Sequence, residues 1–327
     1  MRAAVCKEYG DPDQLTIETV PAPVAGSGHV LIDVHAAAVN FTDLLILQNR
    51  YQLSATPPFI PGSEVAGVVG QIGSAVEGVR PGDLVCGQTL IGAFAEQVVL
   101  PAGSVTVLPS QTDPYTAAAF SVAYSTAYHA LRSAAQLRRG ETLLVLGAGG
   151  GIGLAAVDLG RALQARVIAA ASTDDKLAIC REYGASATVN YATEMLKDRV
   201  KALTDGGGVD VVIDPVGGPY AEAAVRATAW RGRYVSIGFA AGTIPRIPLN
   251  LLLLKGSQLM GFNIGLFAVR EPAEAERNRR ELLALFHAGT IRPRVAAVFA
   301  LTDVAQALRL VAERQAIGKV IIDPRRR

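Results

Sequence analysis

One stretch of the chain, residues 142–171, constrains the fold more than any other. It begins with a short apolar run, TLLVL, bounded by turn residues, which indicates a buried strand. A cluster of glycines comes next, then an apolar helical pattern over 154–163, and finally a second apolar run at 166–171. Strand, helix and strand within about thirty residues predict a βαβ unit that binds a nucleotide at the start of its helix.

The glycine cluster has the pattern A-x-G-x-x-G from Ala148 to Gly153. Glycines without Cβ atoms allow a sharp turn and a close backbone approach to a pyrophosphate. The start of the helix adds unpaired N–H groups and the positive end of its dipole. The alternative is a tight turn between strand and helix that binds nothing. We predict that the cofactor is contacted by Gly149, Gly150, Gly151 and Ile152.

The end of the second strand indicates which dinucleotide is bound. NAD-binding units usually carry an Asp or Glu there to hold the ribose 2′-hydroxyl. This chain has Ala171 and Ser172, with Lys176 four residues further on. Asp174 and Asp175 are nearby, but a helix start favours acidic residues in any case. A hydroxyl and an ammonium suit a 2′-phosphate, so we predict NADPH rather than NADH.

Length and composition limit the class of protein. The 327 residues leave room for two domains, and half of them are hydrophobic. A net charge of +2 with interspersed signs gives no sign of nucleic-acid binding. Three scattered cysteines fit a reducing compartment, and the longest apolar run, Leu249–Leu254, is too short for a bilayer. With no signal-peptide pattern at the start, we expect a cytoplasmic protein with no nucleic-acid or membrane partner.

The chain divides into two patterns. Residues 1 to about 120 are rich in Gly, Pro and short β-branched runs, which indicate an all-β unit. From about 123, helical and strand patterns alternate, which implies a parallel sheet. Residues 272–288 indicate a charged helix, and the tail indicates strand, helix and strand. Six strands, the number in a doubly wound sheet, are predicted at 142–147, 166–171, 186–190, 209–214, 232–238 and 258–261.

These features together resemble a known family. The motifs that carry the resemblance are Asn40-Phe41-Thr42-Asp43, residues 61–69 (PGSEVAGVV), Thr126-Ala127, residues 148–153, Asn190-Tyr191 and residues 214–218 (DPVGG). The chain resembles the zinc-free quinone oxidoreductases, the zeta-crystallin-like group of the medium-chain dehydrogenase/reductase superfamily. The resemblance implies an α/β fold with a GroES-like catalytic domain at 1–122 and 267–327 and an NADPH-binding domain at 123–266. It also implies a homodimer formed through the last strand of the cofactor sheet.

The resemblance bears on metal binding as well. Zinc-dependent members carry a Cys near position 40 and a His where this chain has Ser63. Here Asn40 and Ser63 occupy those positions, and an amide and a hydroxyl are not the ligands that zinc prefers. Cys86 stands alone where those members have a cluster of four cysteines. We therefore predict no metal, which removes oxidation through a zinc-bound alkoxide.

Without a Lewis acid, hydride from NADPH requires an acceptor such as a quinone or an enone, whose reduced form carries negative charge on oxygen. Hydrogen-bond donors of the protein must be aimed at that oxygen to stabilise the charge. The matching family positions are Asn40, Tyr51 and Thr126, which we predict to be catalytic. Each has a plain structural alternative: Asn40 as a helix cap, Tyr51 as an ordinary interface tyrosine, and Thr126 as a threonine near a helix start.

The family also implies further cofactor contacts. Lys176 and Tyr191 match contacts to the 2′-phosphate and adenosine, and Ser172 is placed with them. Gly238 is predicted at the end of the fifth strand, and Gly261 and Phe262 follow the sixth, near the nicotinamide. Arg314 matches a residue that reaches a cofactor phosphate, with an ordinary surface charge as the alternative. Phe41 is also predicted to contact the cofactor.

Three functions are compatible with the sequence. The one that we predict is an NADPH-dependent quinone oxidoreductase. The second, with the same fold and hydride chemistry, is a reductase of enoyl thioesters or alkenals. The third is a crystallin-like protein that binds the cofactor with little turnover.

Overall fold

The computed structural model describes residues 1–326 as fifteen strands and ten α-helices, joined by short 3₁₀ and π segments. The strands are β1 (Arg2–Val5), β2 (Thr16–Thr19), β3 (His29–Val39), β4 (Glu64–Ile72), β5 (Leu84–Gln88), β6 (Gln97–Pro101), β7 (Val105–Val107), β8 (Thr142–Leu146), β9 (Arg166–Ala171), β10 (Ala187–Asn190), β11 (Val209–Asp214), β12 (Thr228–Ser236), β13 (Gln258–Gly261), β14 (Val295–Ala300) and β15 (Lys319–Asp323). The helices are α1 (Phe41–Leu47), α2 (Pro114–His129), α3 (Gly151–Ala162), α4 (Asp174–Glu182), α5 (Leu196–Leu203), α6 (Tyr220–Arg226), α7 (Asn250–Lys255), α8 (Ile264–Arg270), α9 (Pro272–His287) and α10 (Val304–Ala312).

The first of two units comprises Met1–Val122 and the chain from Pro293 onward. Its main sheet has the order β14-β15-β3-β4-β5-β7, with β6 also paired to β3. The strand β3 lies at the centre because eight of its eleven residues are apolar and buried, so it can be covered on both faces. Antiparallel pairs dominate, and only β14 and β15 run parallel. This is the β-rich unit that the Gly- and Pro-punctuated sequence predicts.

The second unit, Ala123–Arg292, contains a six-stranded sheet in the order β10-β9-β8-β11-β12-β13. All of its strand pairs are parallel, and the chain reverses its direction of winding between β8 and β11. Leu143 to Leu146 and Val167 to Ala171 are buried, as expected for strands covered on both faces. The predicted doubly wound sheet is confirmed, with its ligand edge at the carboxyl ends of the strands.

The predicted strand bounds differ from the structure by one residue at β8 and at β10 and by more at β12, which begins at Thr228 and not at 232. The strand β12 also ends at Ser236 instead of 238: Ile237 N–H still bonds to Asp214 O at the end of β11, and the chain beyond it forms a loop. The return to the first unit comes at Pro293 and not at residue 267. Phe267 of α8 contacts the His129 ring at the end of α2, and side chains of α9 bond to Tyr128 and Ser133, so both helices stay with the second unit.

Two of these bonds show why α9 belongs to the second unit. The Tyr128 hydroxyl donates to Glu281 at 2.7 Å, and Asn278 Nδ2 donates to Ser133 Oγ at 2.8 Å. Such pairings, more than 140 residues apart in the chain, leave no local trace in the sequence. Within residues 1–326, no helix combines the length and the apolar character that crossing a bilayer requires.

Candidate active site

The glycine-rich turn links β8 to α3 through residues 147–150. Gly153 permits this turn, because a Cβ there would lie 2.1 Å from Gly147 O. Gly147 has φ +57°, a conformation that favours glycine. The first intrahelical bond of α3 joins Leu154 N–H to Gly150 O at 2.8 Å, so the preceding N–H groups point out of the helix start. The turn therefore has the shape and the donors that a pyrophosphate requires.

Lys176 lies directly against this turn. A Cβ on Gly149 would be 2.8 Å from both Cβ and Cγ of Lys176, so the turn and the lysine stem fit together only without it. The Lys176 ammonium lies 3.4 Å from Ser172 Oγ. Thr173 caps α4 by accepting from Lys176 N–H, which fixes the start of the helix that carries the lysine. The structure thus brings Gly149, Ser172 and Lys176 together as predicted.

Tyr191 lies at the same edge of the sheet. Its N–H donates to Ala171 O at 3.1 Å, next to Ser172. Its ring packs on that of Tyr220, with centroids 4.1 Å apart. A pair of aromatic rings beside the Ser172–Lys176 pair fits the predicted contact with adenosine.

Gly238, Gly261 and Phe262 follow the two strands on the other side of β8. Gly238 lies in the loop two residues beyond β12, which corrects its predicted place at the strand end. Gly261 ends β13, and Phe262 N–H donates to Ser236 O at 2.9 Å. The Phe262 ring also contacts Phe267, with centroids 5.4 Å apart. All three residues therefore lie at the carboxyl edge, the edge that binds ligands in this type of sheet.

Thr126 lies in the last turn of α2 and is buried. The structural alternative, a threonine near a helix start, does not hold, because α2 begins twelve residues earlier, at Pro114. Its role as a catalytic residue stays a prediction.

Asn40 lies in the first unit, at the N-cap of α1, in the middle of a group of buried polar side chains. We call this group the Lys319 cluster; its members are Asn40, Asp43, Ser63, Glu64 and Lys319. Asn40 Nδ2 donates to Glu64 Oε2 at 3.1 Å, and Asn40 Oδ1 accepts from the Lys319 ammonium at 2.6 Å. The Asp43 carboxylate caps α1 by accepting from Asn40 N–H at 2.7 Å and also from Ser63 Oγ at 2.6 Å. Asn40 thus stands at the N-cap position, but the capping side chain is that of Asp43, and the Asn40 amide has Glu64 and Lys319 as partners.

Asp43 is fully buried, and burial raises its pKa to about 6. The hydrogen bonds from Ser63 and Asn40 and the charge of Lys319 act in the opposite direction, while Glu64 adds to the rise. The cluster therefore holds two carboxyl groups and one ammonium away from water.

Tyr51 and Phe41 are partly buried and pack against the hydrophobic core of the first unit. Burial raises the pKa of Tyr51, and no hydrogen bond contributes to that shift. Within the part of the chain that the structure describes, no group binds the Tyr51 hydroxyl, so this donor is available to a ligand. Phe41 opens α1 directly after Asn40.

Arg314 is exposed, in the first unit, one residue beyond the C-cap of α10. Its φ of +58° is unusual for a non-glycine residue and turns the chain sharply after the helix. The structure does not test whether Arg314 reaches a cofactor phosphate, which stays a prediction.

The residues at the positions of zinc ligands do not fit zinc. Asn40 and Ser63 offer an amide and a hydroxyl, and the Lys319 ammonium lies within 3 Å of both Asn40 and Glu64. A cation already stands there, and it would repel a second one. Over residues 1–326, no group of three or more His, Cys, Asp or Glu side chains has an arrangement suited to a metal.

Sequence reasoning missed the part that Glu64 and Lys319 play. Lys319 bonds to Asn40 across 279 positions of the chain, so no local spacing could reveal the pair. One signal was present: Lys319 opens β15, KVIID, in which every residue is buried. A lysine at a fully buried strand position must have partners for its charge.

Comparisons with known proteins agree with this architecture. Residues 26–110 match the alcohol dehydrogenase GroES-like domain, and residues 151–279 match the zinc-binding dehydrogenase domain. The quinone oxidoreductase-like protein 2 homolog of Nematostella vectensis is 37% identical over 98% of this chain and 88% of its own length.

Solved structures give the same result. The quinone oxidoreductase of Thermus thermophilus, determined alone and in complex with NADPH, is 35% identical with a TM-score of 0.84, covering 99% of this chain and 100% of that one. The Escherichia coli quinone oxidoreductase in complex with NADPH is 27% identical with a TM-score of 0.92, at the same coverage. NADPH is thus the cofactor of these two proteins, in agreement with the cofactor predicted here. The chain is an oxidoreductase that belongs to the quinone oxidoreductase family of the medium-chain dehydrogenase/reductase superfamily.

Proposed function

We propose that this protein is an NADPH-dependent quinone oxidoreductase that works without a metal ion. The observation that carries the proposal is the fit of Lys176 between Gly149 and Ser172. An ammonium and a hydroxyl stand at the end of β9, where an NAD-binding unit would have a carboxylate. The relatives named quinone oxidoreductases support the choice of acceptor.

The residues of the second unit would hold the cofactor by its charges and rings. The N–H groups at the start of α3 suit the pyrophosphate, and Ser172 with Lys176 suits the 2′-phosphate. Tyr191, paired with Tyr220, offers an apolar face to adenosine. When bound, NADPH supplies the hydride for the reaction.

The first unit would supply the hydrogen-bond donor that stabilises the negative charge developing on the acceptor oxygen. The Tyr51 hydroxyl is half-buried and has no partner in the described chain, so it can donate to an acceptor oxygen as that oxygen becomes negative. Asn40 is the weaker donor, because its amide is engaged with Glu64 and Lys319. Tyr51 is therefore the first residue to test.

The test compares three acceptors under NADPH and NADH: para-benzoquinone, phenanthrenequinone and crotonyl-CoA. We expect rapid loss of nicotinamide absorbance with NADPH and the quinones, and slower loss with NADH or the thioester. Tyr51→Phe should slow single-turnover hydride transfer roughly tenfold without changing NADPH affinity, since quinones are good electrophiles and a full oxyanion donor is worth 10²–10³. Faster reduction of crotonyl-CoA would favour an enoyl-thioester reductase, and binding of NADPH without turnover would favour a crystallin-like role.

We also propose a homodimer through β13. This strand is the last of the six-stranded sheet, so one of its edges has no strand beside it within residues 1–326. Apolar side chains near it are exposed: Leu259 by 40%, Trp230 by 70% and Leu253 by 81%. An exposed edge strand with apolar neighbours is suited to pairing with a second copy. A cytoplasmic location stays a prediction.

A further inference from the structure

Lys319 is a charged residue at the start of β15, yet only 5% of its side chain is exposed. Its ammonium lies 2.9 Å from Glu64 Oε2, 2.6 Å from Asn40 Oδ1 and 3.0 Å from Val39 O. An ammonium has three hydrogens to donate, and three oxygen atoms surround this one. Carboxylate, amide and backbone carbonyl oxygens are also the ligands of hard metal cations, so Lys319 fills a small cation site with its own charge.

The contact with Lys319 sets the orientation of the Asn40 amide. Because Oδ1 accepts from the ammonium, Nδ2 faces Glu64 Oε2. With the amide turned over, its NH₂ group would face the ammonium and its oxygen would face the carboxylate. Both contacts would then be repulsive, so the two charges allow only one orientation.

Lys319 also balances the charge of the cluster. Asp43 and Glu64 are both fully buried, and Lys319 is the cation bonded to Glu64. The charge of Lys319 lowers the pKa of Asp43 against the larger effect of burial. Without the lysine, two buried carboxylates would stand beside Asn40 with no cation bonded to them.

We propose that Lys319 is a positioning residue for hydride transfer: it fixes the Asn40 amide and offsets the negative charge beside it. The inference rests on the proposed quinone reduction, in which negative charge develops on the acceptor oxygen. A buried carboxylate near that oxygen would oppose its negative charge, and the Lys319 ammonium bonded to Glu64 reduces this opposition. Lys319 keeps its three protons throughout and forms no covalent bond.

The first variant is Lys319→Met, which removes the charge and keeps an unbranched side chain. We expect single-turnover hydride transfer to slow by about tenfold or more, below the 10²–10³ of a lost direct donor. The Kd for NADPH should stay within about twofold. The rate should also gain a pH dependence, falling as pH rises through the pKa of Asp43, which the loss of Lys319 moves above its present value. A purely structural lysine would not change the pH profile in this way.

The second variant is Lys319→Met combined with Glu64→Gln, which removes both charges of the pair and restores the original net charge of the cluster. It should recover hydride transfer to within about fivefold of the wild-type rate, since charges in contact are not additive. The double variant also keeps the inference testable if Lys319→Met alone does not fold. With both residues neutral, no unpaired charge is buried at position 64. A double variant that folds but stays as slow as Lys319→Met, or about a hundredfold slower than wild type, would overturn the charge role.

A matched control is Lys255→Met. The Lys255 ammonium also donates to two backbone carbonyls, Arg226 O and Thr228 O, each at 2.6 Å. Burial is the larger cause that lowers the pKa of Lys255. Its charged neighbours are cations, Lys201 and Lys197 among them, and they lower that pKa further. Lys255→Met should therefore leave the hydride-transfer rate and its pH profile unchanged.

A spectroscopic measurement separates this inference from the proposed function. Infrared spectra at neutral pH should show an additional protonated carboxyl group in Lys319→Met, and none in wild type or Lys255→Met. If the wild-type protein reduces no quinone, the proposed function fails, and the carboxyl spectrum alone decides whether Lys319 balances the cluster. Wild-type rate and pH profile in Lys319→Met, or no additional protonated carboxyl, would overturn the inference.

Discussion

Gly149→Ala is a substitution whose effect follows directly from the geometry of the glycine-rich turn. The new Cβ would lie 2.8 Å from Cβ and Cγ of Lys176 and 3.1 Å from Cδ. Carbon atoms in contact are about 3.5–4.0 Å apart, so the lysine stem must move by roughly 1 Å. Because these atoms are close to the backbone of α4, the whole side chain moves, and its ammonium shifts away from Ser172.

The expected loss concerns NADPH and not NADH. A hydrogen bond to a charged group contributes about 1.5–3 kcal/mol, so losing the contact between Lys176 and the 2′-phosphate should weaken NADPH binding roughly 10- to 100-fold. NADH has no 2′-phosphate, so its Kd should change by less than about threefold. Calorimetric titration of both cofactors into wild type and variant measures the two effects.

Two other glycines provide the comparison. A Cβ on Gly153 would meet Gly147 O at 2.1 Å, so Gly153→Ala should lose both cofactors through a distorted turn. Nothing lies within 4 Å of a Cβ on Gly103, so Gly103→Ala should change neither affinity. If Gly149→Ala loses NADPH and NADH equally, or keeps its preference for NADPH, then Lys176 is not the residue that recognises the 2′-phosphate.

The pKa of Asp43, about 6 in the folded protein against 3.8 ordinarily, means that the folded state binds this proton more tightly than the unfolded state. The contribution of Asp43 to the free energy of unfolding is therefore largest below about pH 4 and declines as pH rises through about 6. The difference of about 2.2 between the folded and unfolded pKa values corresponds to a loss of about 3 kcal/mol. Asp43→Asn should flatten this part of the curve in urea unfolding at a series of pH values, and an unchanged slope would assign the effect to another group. Leu259→Lys should convert the proposed dimer into a monomer in sedimentation velocity, because a charge on β13 opposes edge pairing; a monomeric wild type, or a dimeric variant, would contradict the proposed interface.

The candidate cofactor-binding residues of the second unit could be predicted because they are close in the sequence. Ser172 and Lys176 are four residues apart, and the glycine-rich turn that lies against Lys176 belongs to the same βαβ unit. Strand periodicity also placed the six strands of the sheet, with an error of a few residues at β12. The local sequence pattern is sufficient to predict a site when the residues that contact one another are also close in the chain.

The candidate residues of the first unit could not be predicted in the same way. Asn40 and Tyr51 were identified by family resemblance, but the partners of Asn40 come from β4 and from the distant strand β15. The end of the second unit was misplaced for a similar reason, since the bonds of α9 to α2 join residues far apart in sequence. Thr126 was placed near a helix start because sequence alone did not show where α2 begins.

The contacts of Glu64 show that the whole Lys319 cluster, and not Asn40 alone, sets the geometry around Asn40 in the first unit. Its Oε2 binds Asn40 and Lys319, while its Oε1 accepts from Val122 N–H on α2. A single buried carboxylate therefore contacts the cap of α1, the start of β15 and Val122, the last residue before the second unit. Since the Lys319 ammonium balances the charge of this carboxylate, a change at Lys319 should disturb both the Asn40 amide and the contact of Glu64 with Val122.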